Sequence, residues 1–85
     1  MKIVFKENAT AWTGDIDYDL MFLETQAEYI KAIYKHRGYM YLNQIYEYFG
    51  VGWSPNLRNP CYRITDSMSF RFEPVRDIAI VIHIE

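Results

Sequence analysis

Eighty-five residues with nine Lys/Arg against eleven Asp/Glu, a net charge of −2, fit one small domain over 1–85 and leave no basic excess for gripping nucleic acid. At 51% apolar and 18% aromatic residues the composition excludes a disordered tail. The lone cysteine, Cys61, excludes an internal disulfide. MKIVFKEN has no long apolar core of a signal peptide, and no apolar run reaches membrane-spanning length, so a cytoplasmic, non-membrane protein is expected.

In chain order, KIVFK at 2–6 alternates Ile3 and Phe5 with Lys2, Val4 and Lys6, the pattern of a short strand. ENATAWTG at 7–14 is turn-rich and holds Trp12. Leu20, Leu23, Ala27, Ile30 and Tyr34 then recur at steps of three and four, with Ile33 beside them, predicting an amphipathic helix over about 19–36. Asp15, Asp17 and Asp19 sit at its positive end and Lys35, His36 and Arg37 at its negative end. Gly38 is placed to leave the helix in the left-handed conformation.

Leu42, Ile45, Tyr46 and Phe49 predict a second helix at about 42–49, ended by Gly50 and close enough to pack on the first. GWSPNLRNP reads as a loop. Strands are expected at about 61–65, at 68–73, where Met68, Phe70 and Phe72 alternate with polar residues, and at 78–84, where Ile78, Ile80, Ile82 and Ile84 share a face. The opposite face of 78–84 is also mostly apolar, so this strand is central or covered by a partner, and a homodimer through it is expected. The whole is an α+β domain: two packed helices on one face of an antiparallel sheet of three to four strands.

LNQIYEYFGV at 42–51 resembles the first helix of a DNA-reading helix-turn-helix. The recognition helix would then fall on GWSPNLRNPCYRI, where Pro60 removes an interior hydrogen bond and Asn59 is pushed out of helical space. A nucleic-acid-associated regulator built on the 20–49 helix pair is therefore the secondary reading.

DIDYD at 15–19 has the odd-numbered aspartates of a calcium loop, but its sixth and twelfth positions are Leu20 and Gln26 instead of Gly and Glu. Cys61, His36 and His83 lack the paired spacing of a zinc site or a thiol nucleophile with its base, and read as a packing cysteine and two edge histidines. GVGW lacks the third glycine and following helix of a dinucleotide site. The expectation is a protein without catalysis, metal or cofactor. Trp12, Trp53, Arg58 and Tyr62 are the candidate protein-contact residues, because loop-borne Trp, Tyr and Arg are frequent binding anchors.

GYMYLNQIYEYFGVGW, preceded by a helix and followed by strands ending in IAIVIHIE, resembles a family of small proteins from phages and prophages of Gram-positive bacteria. The shared pattern, G-Y-x-x-L-N-x-x-Y-x-x-x-G, falls on Gly38, Tyr39, Leu42, Asn43, Tyr46 and Gly50, followed by Gly52 and Trp53, within a match over about 17–85. The step from Gly50 to Trp53 is shorter here than in that pattern. The resemblance implies a phage origin and brings no mechanism. A protein acting by protein–protein contact, against a host or defence component, is the expectation, with host cytoplasm as its location.

Overall fold

A computed structural model describes residues 2–52, 63–64 and 69–84. The elements in chain order are β1 (Lys2–Lys6), α1 (Ile16–Arg37), β2 (Met40–Tyr41), α2 (Leu42–Tyr48), β3 (Arg63–Ile64), β4 (Phe70–Val75) and β5 (Ala79–Ile84). The architecture is α+β, with a main antiparallel sheet in the order β1-β5-β4.

Alternation sorts the sheet into two faces. Ile3 pairs with Ile82 and Phe5 with Ile80, while Phe72 meets Ile82 from the other side. These side chains, with Phe70 and Ile84, form the inner face, and Ile3, Phe5, Ile80 and Ile82 are wholly buried. Each buried aliphatic or aromatic side chain of this size stabilises by about 1.5–3 kcal/mol. β5 is the central strand, and β1 and β4 occupy both of its edges. Its outer face, Ala79, Val81 and His83, lies between Lys2, Val4 and Lys6 on one side and Arg71, Glu73 and Val75 on the other. β4 runs two residues past the expected 73 and contains Pro74. An edge strand tolerates proline, because only one of its sides is hydrogen-bonded.

α1 begins at Ile16, three residues before the expected start, because Asp15 caps it. The Asp15 carboxylate accepts from the Tyr18 N–H at 3.2 Å, and Asp17 lies in the first turn. Leu23, Ala27 and Ile30 are buried against the sheet, with Leu20, Ile33 and Tyr34 half-buried beside them. Gly38, at φ 82°, ends the helix, its N–H donating to the Tyr34 carbonyl at 2.7 Å.

The sequence spacing places a further strand at 61–65 in the main sheet. Residues 63–64 instead form a separate antiparallel ladder with Met40–Tyr41, so the main sheet has three strands. Directly after that ladder α2 turns in. The Tyr41 N–H donates to the Gln44 side chain at 3.2 Å, satisfying a donor at the helix start. α2 buries Leu42, Ile45 and Tyr46, and Phe49 follows it into the core. The Phe49 ring stands nearly perpendicular to Phe70 and Phe72, at 5.4 and 6.2 Å between centroids, joining the helix layer to the edge strand β4.

Candidate protein-contact surface

The segment between β1 and α1 is pinned at three points. Its Ala9 N–H donates to the Lys6 carbonyl at 2.8 Å, and its Thr10 N–H donates to the Gly50 carbonyl at 2.9 Å. Further on, Thr13 donates from its hydroxyl and its backbone to the buried carboxylate of Asp19. These anchors tie the segment to β1, to the end of α2 and to α1 in turn. They hold Trp12 half-buried, with its ring 5.7 Å from that of Phe5 and tilted by 52°. The indole thus packs on the core and keeps part of its surface accessible.

Beside it lies the turn between β4 and β5. Arg76 takes a positive φ of 52° there, and the Ile78 N–H donates to the Val75 carbonyl at 3.3 Å. The register sets Lys6 opposite Ala79, so this turn falls at the same end of the sheet as the Trp12 segment. Trp12, Gly14, Ile78 and Ala79 line a cleft of about 450 Å³, with Lys6, Glu7 and Asp77 around it. Ile78 is 64% exposed. The cleft thus combines an aromatic ring, exposed aliphatic surface and charges of both signs.

Of the sequence-derived candidates, Trp12 lies among the described residues and lines this cleft. Trp53, Arg58 and Tyr62 lie outside the described residues, as do Cys61 and most of the expected 52–60 loop. Ile78 escaped the sequence reading because the run of alternating isoleucines assigns it to the strand. The strand starts one residue later, and Arg76-Asp77 turns Ile78 out to solvent. The turn-prone PVRD segment ahead of it is the signal that bears on this boundary.

Elsewhere, His83 is buried on the outer face of β5, its Nε2 2.8 Å from Glu73 Oε1, while His36 is exposed. Glu28 lies 3.8 Å from Lys31 on the wet side of α1. Among the described residues, no group of three or more His, Cys, Asp or Glu gathers as a metal site, and no helix is long and apolar enough to cross a membrane. No protein-family model, curated protein or solved structure matches the chain.

Proposed function

We propose that this is a phage-type protein that acts without catalysis in the host cytoplasm, binding a host or defence protein through the cleft at Trp12. The observation that carries the reading is the pairing of a pinned, half-buried Trp12 with the solvent-facing Ile78 across one cleft. A rigid aromatic anchor next to an exposed aliphatic side chain is costly to leave in water and binds with little further loss of entropy. The G-Y-x-x-L-N-x-x-Y-x-x-x-G resemblance supports the phage assignment, and the neighbouring genes test it: virion or early phage genes on either side support it, and chromosomal housekeeping genes count against it.

The alternative use of the 20–49 pair, as a nucleic-acid reader, finds less support. The exposed residues of α2 are Asn43, Glu47 and Tyr48, so the helix offers no cation to a phosphate. Two experiments separate the readings. Affinity capture from host lysate should recover a discrete protein with the wild-type chain and lose it with Trp12→Ala and with Ile78→Ser. Equal recovery by all three removes the cleft from the proposal. A gel shift that weakens steeply with salt would favour the nucleic-acid reading instead.

A further inference from the structure

Among the described residues, α1 buries its Leu23-Ala27-Ile30 stripe, while a second line of residues touches the core only through Phe22, whose ring stacks on Phe5 at 6.2 Å. Opposite Leu23, Ala27 and Ile30, the residues Tyr18, Phe22, Thr25, Tyr29, Ala32 and His36 follow one another at alternating steps of four and three. That is the seam spacing of paired helices, and Met21 flanks it. Tyr18, Met21 and Tyr29 are 53%, 58% and 57% exposed. A groove of about 230 Å³ runs between Tyr18, Met21, Phe22, Thr25 and Gln26. Tyr18 and Tyr29 with Met21 beside them give this exposed side of α1 an apolar surface that a second helix can cover.

The charge on α1 says what fits there. Asp15 and Asp17 stand at its first turn, and Lys35, His36 and Arg37 at its last. A helix of the same charge polarity lying antiparallel sets acidic end against basic end at both extremities and opposes the two macrodipoles. A second copy of this chain supplies such a helix. Its 22 residues are about 33 Å long, against 34 Å for the longest extent of the molecule, so the contact can run from end to end. We infer that the protein forms a twofold dimer through antiparallel α1 helices, seating Tyr18 near His36 of the partner subunit. Glu28, close in sequence to the axis, has Lys31 3.8 Å away as a counter-charge within its own chain.

Strand 78–84 offers a second copy less. Both of its edges are paired within the chain. Among the described residues, the outer face of the sheet there carries Lys2, Lys6 and Arg71 against Glu73, so a twofold contact on it brings cations together.

Sedimentation equilibrium tests the dimer. The wild-type chain should run at twice its 10.2 kDa mass, and Met21→Glu with Tyr29→Glu should raise the dissociation constant at least about tenfold while circular dichroism stays unchanged. Trp12→Ala should remain dimeric, which separates this surface from the proposed partner cleft. In a Cys61→Ser background, mixed Tyr18→Cys and His36→Cys chains should form a disulfide on oxidation, and Tyr18→Cys alone should not. A monomeric wild type, a dimer undisturbed by the two glutamates, or Tyr18→Cys linking to itself would overturn the inference.

Discussion

Thr13 donates its hydroxyl at 2.7 Å and its backbone N–H at 3.2 Å to the carboxylate of Asp19, a side chain that solvent does not reach. The two residues belong to different segments, so the contact fastens the Trp12 loop to the first turns of α1. A buried acceptor satisfied twice over contributes little net, but removing it strands the donors it served. Asp19→Ala is expected to cost about 1–3 kcal/mol in urea unfolding, and Asp19→Asn less, since the amide oxygen still accepts. In a Trp53→Phe background, Asp19→Ala should also shift Trp12 emission to the red as the loop loosens. Unchanged emission and midpoint would mean the loop is held by its other anchors.

Gly38 and Gly50 both take positive φ, at 82° and 73°, but they face different surroundings. A Cβ at Gly38 meets open space. Gly38→Ala should therefore cost only the left-handed backbone penalty, about 1–2 kcal/mol. At Gly50 the same atom comes within 2.6 Å of Thr10 Oγ1, which is itself held by donating to the Gly50 carbonyl at 3.3 Å. Gly50→Ala should be the more damaging change in thermal unfolding. Adding Thr10→Ala should recover part of that excess and do nothing for Gly38→Ala. Equal losses at the two glycines would show that the Thr10 hydroxyl yields freely.

Phe49 fills the space between α2 and the edge strand, wholly buried and edge-on to Phe70 and Phe72. Phe49→Ala should cost about 3–5 kcal/mol. A domain of this size holds only about 4–13 kcal/mol in total. The alanine variant should therefore lose most of its cooperative unfolding transition, whereas Phe49→Leu should keep it at a lower midpoint. A sharp transition in the alanine variant would mean that the core does not depend on this ring.

Periodicity made the main elements legible. Ile3 and Phe5, the Leu23-Ala27-Ile30 stripe, and Ile80-Ile82-Ile84 all face the core as their spacing implies, because period two or 3.6 is what a buried face imposes. The misses share another cause. A two-residue strand at Met40–Tyr41 has no period to read, and its pairing with 63–64 is set by a long-range register. Pro74 marked the end of a strand that an edge position lets continue. Asp19 looked like one more acidic residue opening a helix. Only the path of the Thr13 loop makes it a buried acceptor. The proposed contact surfaces are least legible, since Ile78 and the Tyr18–Tyr29 stripe are apolar residues on the side away from the core, and a pattern that already explains its helix gives no reason to look for a second one.

His83 and Glu73 cross from β5 to β4 on the outer face, Nε2 to Oε1 at 2.8 Å. The Glu73 carboxyl is held below the ordinary 4.5, chiefly by the hydrogen bond from His83. Some desolvation opposes this, and attraction to His83, Arg71 and Lys2 adds to it. A carboxylate whose folded pKa is depressed stabilises above its unfolded value and loses that contribution as pH falls through the folded one. Wild type should therefore exceed Glu73→Gln in urea midpoint at pH values above 4.5, with the gap closing as the pH falls through the lowered folded value. Because Glu73 is exposed, the gap should be small and should shrink further in high salt. A gap of constant size across that pH range would mean that the glutamate contributes through packing, with its charge playing no part.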